Sequence, residues 1–202
     1  MLLEPVLRPV IAFLLVAFAA SVAGCDRQSA PAEQANDALP VEAPAPSVDG
    51  NAAVEEIGKL DRSHAGEMAP QMKIVAPDGS ETALDAFRGK PVLLNLWATW
   101  CAPCVAELPT LDALAGREAG KVQVIALSQD FDGAEKVAAF FARNRYAHLQ
   151  PYRDDEAAFS LSMQTNLPTT ILYDAQGREV WRMLGGMDWT GDAAAELIAE
   201  AG

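Results

Sequence analysis

Two cysteines separated by two residues are the part of this sequence best suited to chemistry. Cys101 and Cys104 enclose Ala102 and Pro103, and thiols at this spacing can close and reopen a disulfide as they exchange electrons with another disulfide. The thiolate is the nucleophile in this exchange, so reactivity depends on how easily one sulfur ionises. The pair therefore predicts thiol–disulfide exchange, and the remaining cysteine, Cys25, needs a separate explanation.

The segments on either side of the pair predict where the two thiols lie. The apolar run Pro91–Trp97 is typical of a strand buried on both faces, and Val105–Glu118 has apolar residues at helical spacing. Cys101 would then lie at a helix N-terminus, where free backbone N–H groups and the helix dipole stabilise a thiolate. We therefore expect Cys101 to attack a disulfide and Cys104, one turn further on, to resolve the mixed disulfide.

A structural disulfide and a zinc site are two other possible uses of such a pair. A disulfide across so short a loop restricts the unfolded chain very little and would add little stability. A structural zinc site needs about four ligands. Besides the two cysteines, the expected domain offers only the isolated His148, because His64 precedes it. We expect no metal, and no cofactor beyond the redox-active disulfide itself.

The chain around the pair alternates between strand and helix patterns. A hairpin is expected first, because the alternating segment 71–75 meets the turn sequence Pro77-Asp78-Gly79 before a short strand. The strands expected after it are Pro91–Trp97, Val122–Leu127, Thr169–Tyr173 and Glu179–Leu184, and amphipathic helices separate or follow them. This order predicts an α/β fold, a central mixed β-sheet flanked by helices with an N-terminal β-hairpin extension.

The N-terminal residues 1–24 have the pattern of a signal peptide. The apolar run Val10–Ala23 follows Arg8 and is shorter than the about 20 residues that a membrane-spanning helix needs. It ends in Val22-Ala23-Gly24-Cys25, which resembles a bacterial lipobox, so we expect Cys25 to be lipidated and to begin the mature protein. The alternative is an ordinary secretory signal that leaves Cys25 as a free thiol.

Residues 25–66 have the composition of a tether. Four prolines lie among Ala, Glu, Asp, Gln and Ser, with almost no aromatic or β-branched residues. Such a segment cannot bury enough apolar area to offset its ordering entropy, so we expect a disordered linker that leads to a folded domain over residues 67–202. The net charge of −13, with 28 acidic and 15 basic residues, gives no electrostatic footprint for nucleic-acid binding.

The segment Trp97-Ala98-Thr99-Trp100-Cys101-Ala102-Pro103-Cys104 resembles the active site of the TlpA- and ResA-like membrane-anchored thioredoxins of bacterial envelopes. Two further segments fit this resemblance: Leu167-Pro168-Thr169, where the family has a cis-proline facing the cysteines, and Glu107-Leu108-Pro109 just after the pair. The resemblance covers roughly residues 70–200 and implies a thioredoxin-like fold and a thiol–disulfide oxidoreductase.

The resemblance also suggests roles for residues around the cysteines. Asn95 stands where thioredoxin has a buried aspartate, and an amide cannot accept the proton of the resolving thiol. We therefore expect Glu107, one helical turn beyond Cys104, to modulate cysteine ionisation, the alternative being an exposed surface glutamate. Trp100 is expected to form an apolar rim for docking. Leu167 and Thr169, beside the proline, are expected to pair with an extended substrate.

The expected function is reduction of disulfides in envelope proteins, on the periplasmic side and at the inner membrane. Ala102 and Pro103 supply no cation to over-stabilise the thiolate. This favours a potential nearer thioredoxin's about −270 mV than the about −120 mV of strongly oxidising relatives. By resemblance, the clients are cytochrome c maturation or copper-centre components, and a membrane thiol protein donates the electrons.

Two functions of other classes are the alternatives. A thiol peroxidase would need proline and threonine where this chain has Leu94 and Ala98. A copper-delivery module would use a C-x-x-x-C motif with a partner histidine, and this chain has neither.

Overall fold

The computed structural model describes residues 58–202, which form one mixed sheet with helices on both faces. Its strands, with the numbering used below, are β1 Lys59–Asp61, β2 Ile74–Val75, β3 Glu81–Thr82, β4 Val92–Trp97, β5 Gln123–Ser128, β6 Tyr152–Arg153, β7 Thr169–Tyr173 and β8 Glu179–Leu184. The helices are α1 Ala102–Arg117, α2 Ala134–Asn144, α3 Ala158–Ser162 and α4 Asp192–Ala199, and a short 3₁₀ helix covers Leu84–Phe87.

Strand β4 lies in the middle of the sheet and leads directly into the cysteine pair. The strand order is β1-β8-β7-β4-β5-β6-β2-β3, with β5 parallel and β7 antiparallel to β4. Every residue of β4 is buried because helices or loops cover both faces, which explains its nearly continuous apolar sequence. The mixed, helix-flanked sheet expected from the sequence is thus confirmed.

Alternate residues of β4 contribute to two separate hydrophobic cores. Leu93 and Trp97 point to the face that packs against α1, α2 and α4, whereas Leu94 and Leu96 point to the face covered by α3 and the N-terminal segments. Because side chains alternate across a strand, a single buried strand fixes both cores. The end of β4 is therefore held firmly from both sides of the sheet.

The folded part begins earlier than the sequence pattern indicated. Residues 58–66 were expected within the disordered tether, but β1 pairs antiparallel with β8, with Leu60 opposite Met183. Strand β1 is too short, and has too many charged neighbours, to show a recognisable strand pattern in the sequence. It is stabilised by backbone pairing with a distant strand, which local sequence does not reveal. The predicted tether was therefore too long at its C-terminal end. The predicted signal peptide, Cys25 and the remainder of the predicted tether lie outside the described residues.

The N-terminal hairpin is confirmed and has a place in the main sheet. β2 pairs with β3, and Val75 also pairs with Arg153 of β6, which makes the hairpin the far edge of the sheet. Within residues 58–202, the helices are all too short or too polar to cross a membrane.

Candidate active site

Cys101 and Cys104 form a disulfide at the N-terminus of α1. Their Cα atoms are 5.3 Å apart, and Cys101 is the residue that caps the helix. The Cys101 sulfur accepts a hydrogen bond from the backbone N–H of Cys104 at 3.3 Å, so it lies where the unpaired N–H groups of the first turn converge. Cys101 is 6% exposed and Cys104 fully buried. This geometry gives an outer sulfur that can meet a partner and an inner one that cannot.

The Leu167–Pro168 peptide bond is cis, as the resemblance led us to expect. Pro168 precedes β7, whose first residue, Thr169, is paired with Leu96 near the end of β4. The proline therefore lies at the same end of the sheet as the cysteine pair. Leu167 is half-buried, which leaves part of it available to a partner.

Thr169 has a buried side chain, so the pairing with an extended substrate that we expect here involves its backbone. It is 1% exposed, and its hydroxyl is 2.7 Å both from the backbone oxygen of Asn166 and from the hydroxyl of Thr165. The side chain thus holds the loop before β7 in shape and has no surface for a client. At Thr169, only the backbone remains as a docking element.

The two tryptophans of the motif have opposite environments. Trp97 is fully buried, and its ring lies 5.0 Å from that of Phe140. Trp100 is 70% exposed, directly before the outer cysteine. The prediction that Trp97 belongs to the core and Trp100 to the surface is confirmed.

Glu107 is a buried member of the site, so the alternative of an exposed surface glutamate is wrong. Its Oε1 accepts a hydrogen bond from Asn95 Nδ2 at 2.7 Å, and its Oε2 accepts one from the backbone N–H of Met187 at 3.1 Å. The indole N–H of Trp189 lies 3.4 Å from the same Oε2. Three elements, β4, α1 and the loop before α4, therefore meet at one carboxyl group.

The environment of Glu107 raises the affinity of its carboxylate for a proton. Burial disfavours the carboxylate and raises the pKa of Glu107 from its ordinary value of 4.5 to about 7. The hydrogen bonds from Asn95, Met187 and Trp189 act in the opposite direction and are outweighed by the loss of solvent. Because Glu107 is one turn beyond Cys104 on the sheet-facing side of α1, the site contains an acid–base group poised near neutral pH.

The partners that surround these residues could not be predicted from the sequence. Met187 and Trp189 come from a loop about 80 residues after Glu107, and nothing in the local sequence links them to it. Asp130 was missed as well, although it is 2% exposed and accepts hydrogen bonds from the backbone N–H and hydroxyl of Thr99 at 2.9 and 2.6 Å. Its position two residues after a buried strand was the only available signal.

The described residues offer no ligand cluster for a metal ion: no three His, Cys, Asp or Glu side chains converge within residues 58–202. His64 pairs with Glu67 at 3.2 Å, and His148 lies against Gly116 on α1. Leu94 and Ala98, at the positions that a thiol peroxidase would use, are fully buried apolar residues. They give a peroxide no hydroxyl to bind.

A dithiol at the start of a helix, beside a cis-proline and at the end of a central strand, defines the class of thioredoxin-fold thiol–disulfide oxidoreductases. Comparison with known proteins gives the family. Residues 64–198 match the Redoxin family model, and the chain belongs to that family.

Known proteins of similar sequence and structure agree with this class. The chain is 34% identical to the thioredoxin-like protein YneN of Bacillus subtilis over 55% of this chain and 66% of YneN. It is 30% identical to the thiol-disulfide oxidoreductase ResA of Bacillus cereus over 62% of this chain and 72% of ResA. The exposed lipoprotein thioredoxin Etrx1 of Streptococcus pneumoniae has a similar fold. Its TM-score is 0.57 at 23% identity, over 65% of this chain and 99% of Etrx1.

Proposed function

We propose that this protein is an extracytoplasmic reductase that keeps cysteines of envelope proteins in the dithiol state. The observation that carries the proposal is the Cys101–Cys104 disulfide at the N-terminus of α1, with the carboxyl group of Glu107 buried one turn further along the same helix. The N-terminus of the helix favours a thiolate at Cys101, and the buried acid can exchange a proton beneath it. Both groups are needed for a two-step exchange.

The reaction begins with the reduced protein. The Cys101 thiolate attacks one sulfur of a client disulfide, and the other client sulfur leaves as a thiolate that takes up a proton. Cys104 then loses its proton and attacks the Cys101 sulfur of the mixed disulfide, which releases the second client thiol. Two electrons pass to the client and the Cys101–Cys104 disulfide forms, so a thiol donor must reduce the protein again before the next turnover.

Glu107 accepts the proton of the inner thiol in this scheme. Asn95 cannot do so, because an amide is not a base at neutral pH, but its Nδ2 fixes the Glu107 carboxyl group at 2.7 Å. A carboxyl group with a pKa of about 7 can both take and return a proton at that pH. Thiolate titration of the reduced wild type and of Glu107→Gln tests this role. We expect the cysteine titration to shift in the variant, and superimposable curves would remove the role.

The electron flow runs towards the client because the dipeptide between the cysteines does not stabilise the thiolate strongly. Ala102 and Pro103 are exposed and uncharged, so the dithiol form keeps its reducing power. We expect a potential near the about −270 mV of thioredoxin, measured by equilibration with glutathione or dithiothreitol buffers. A value near about −120 mV would reverse the direction of flow.

Lipidated Cys25 anchors the protein on the periplasmic side of the inner membrane, and the tether lets the domain reach membrane-bound partners. Support comes from the lipobox-like sequence and from similarity to Etrx1, which is itself described as an exposed lipoprotein. By family resemblance, the clients are haem-binding cysteines of apocytochromes c or copper-centre cysteines, and a membrane thiol protein supplies the electrons.

Trapping of mixed disulfides tests the proposed function directly. Cys104→Ser leaves Cys101 able to attack but leaves the mixed disulfide unresolved, so clients remain attached and can be identified after non-reducing electrophoresis. The matched control is the double variant with Cys101→Ser, which lacks the attacking sulfur and should capture nothing. If Cys104→Ser captures no more envelope protein than the double variant, the reductase proposal is wrong.

A further inference from the structure

A second exposed aromatic residue lies next to the active site, and no part of the exchange chemistry uses it. Phe131 is 61% exposed in the loop that follows β5. The preceding residue, Asp130, is buried and is bonded to the backbone N–H and hydroxyl of Thr99, two residues before Cys101. Phe131 follows Asp130 and Trp100 follows Thr99, and consecutive Cα atoms are only about 3.8 Å apart, so these hydrogen bonds place the two exposed aromatic residues in neighbouring segments at the active site.

The loop is also fixed from within and from the side. The backbone N–H of Asp130 donates to the hydroxyl of Ser128 at 3.1 Å, and that hydroxyl donates back to the Asp130 carboxylate at 2.8 Å. On the other side, Gln129 Oε1 accepts a hydrogen bond from the backbone N–H of Ser160 on α3 at 3.1 Å. Phe131 is thus presented to solvent by a rigid support, which lowers the entropic cost of binding against it.

Two carboxylates without hydrogen-bond partners among the described residues lie near the exposed surface around Phe131. Asp132 follows Phe131, and its backbone N–H contacts the backbone oxygen of Asp155 at 3.4 Å, which brings the loop before α3 alongside. The side chains of Asp132 and Glu156 are exposed and make no hydrogen bond or ion pair with any residue in the range 58–202. Asp155, by contrast, is already paired with Arg153 at 2.7 Å.

The exposed charges near the site that have no ion-pair partner in the described part of the chain are acidic. Residues 98–105, 129–133 and 154–168 contain no lysine or arginine, and Asp132 and Glu156 are their exposed acidic residues. The basic residues that line a cavity with Glu156, Lys73 and Arg153, are already paired with Glu81 and Asp155. Since Cys101 is only 6% exposed, a client sulfur must come very close to react. The client chain then has to cover the exposed aromatic and acidic groups around the disulfide.

We propose that the client segment carries an apolar side chain beside its cysteine, which packs on Phe131 and Trp100, and a lysine or arginine that pairs with Asp132 and Glu156. This inference rests on the proposed function and names its substrate class: apolar and basic cysteine-containing segments. Apolar contact supplies binding energy, whereas charge complementarity supplies selection and a faster encounter.

Three synthetic peptides test this specificity, each closed by an intramolecular disulfide and differing only beside the cysteines. They carry Leu and Lys, Gly and Lys, or Leu and Glu at the two variable positions. The measured quantity is the second-order rate constant at which the reduced protein reduces each peptide. Bis(2-hydroxyethyl) disulfide serves as a small neutral substrate that contacts neither the aromatic residues nor the carboxylates.

Met68→Ala is the matched control variant. Met68 is 46% exposed, but it pairs with Arg178 at the end of β8 that lies away from the cysteines.

For the wild type, we expect the Leu and Lys peptide to react roughly tenfold faster than either of the others. Phe131→Ala should lose the preference for Leu over Gly, and the double variant Asp132→Asn, Glu156→Gln should lose the preference for Lys over Glu. Both should reduce bis(2-hydroxyethyl) disulfide at the wild-type rate, and Met68→Ala should match the wild type throughout.

Equal rates of the wild type with all three peptides would overturn the inference while leaving the reductase function intact. Unchanged preferences in the variants would also overturn it. A wild-type protein that reduces none of the four disulfides would instead refute the proposed function.

Discussion

A carboxyl group enclosed in a protein core holds its proton more tightly than one in water, and Glu107 is such a group. Its two carboxyl oxygens are not left without partners. They accept hydrogen bonds from Asn95, from the backbone N–H of Met187 and from the indole of Trp189. These donors keep the charged form accessible, so the group can change protonation near neutral pH. An acid used only for packing would gain nothing from that property.

The raised pKa of Glu107 predicts how stability depends on pH. Between about pH 4.5 and 7 the folded protein binds more protons than the unfolded chain, so the free energy of unfolding should fall as pH rises through this window. The decrease due to Glu107 is on the order of 3 kcal/mol. Glu107→Gln cannot ionise and should lose this decrease, although its absolute stability is lower because an amide NH₂ then faces N–H donors.

Denaturant unfolding of the oxidised protein across this pH range measures the effect. Glu135→Gln on the exposed first turn of α2 is the matched control and should keep the wild-type pH dependence. If wild type and Glu107→Gln show the same slope, the carboxyl group does not titrate in this window and cannot serve as the proton acceptor at neutral pH.

At the scale of elements, the site depends on where β4 ends and α1 begins, and the sheet edges support that junction. β4 is held by β5 and β7, β7 by β8, and β8 by β1. Strand β1 could not be predicted from the sequence, because only three residues pair and none has a distinctive pattern. The same holds for β6, which has two residues. The pairing partner of β1 lies more than 120 residues later in the chain.

Gly58, immediately before β1, provides a test of this edge. A Cβ atom at this position would lie 2.8 Å from the backbone oxygens of Leu184 and Gly185, and backbone atoms cannot rotate away. Gly58→Ala should therefore push β1 off β8 and destabilise the fold by about 1–3 kcal/mol. Gly191→Ala, whose Cβ would meet no atom within 4 Å, should cost only about 0.5 kcal/mol, because alanine caps α4 less well than glycine does. Thermal or denaturant unfolding measures both, and equal stabilities would contradict this account of the edge.

At the scale of the whole molecule, the proposed function joins a domain that carries the chemistry to an anchor that places it. The net charge of −13 gives no electrostatic footprint for nucleic acid, while the proposed acidic border of the site favours basic clients. A tethered domain meets membrane-bound partners at a high effective concentration without needing a large docking interface. Weak recognition of the client by a few side chains is then sufficient for disulfide exchange.

The anchor has its own prediction. The wild type expressed in a bacterial envelope should fractionate with membranes, whereas Cys25→Ser should appear in the soluble periplasmic fraction, because the variant lacks the thiol that the proposed lipid anchor requires. Cys101→Ser, which alters a cysteine of the folded domain, is the control and should remain with the membranes. Recovery of the wild type in the soluble fraction would mean that Cys25 is not lipidated.

The sequence by itself determined the chemistry and the general architecture. Cys101 and Cys104 between a continuous apolar run and an amphipathic segment predicted a dithiol at a helix start, since strand and helix periodicity are local properties. The cis-proline was implied by resemblance to a known family. These features depend on residues that are neighbours in the chain.

The tertiary structure alone decided what surrounds the pair. The contacts of buried Glu107 with Asn95, Met187 and Trp189 and the hydrogen bonds between Thr99 and Asp130 all join residues from separate elements. The physical reason is that desolvation and hydrogen-bond geometry, which set a pKa or present an aromatic ring, arise only when separate elements pack together.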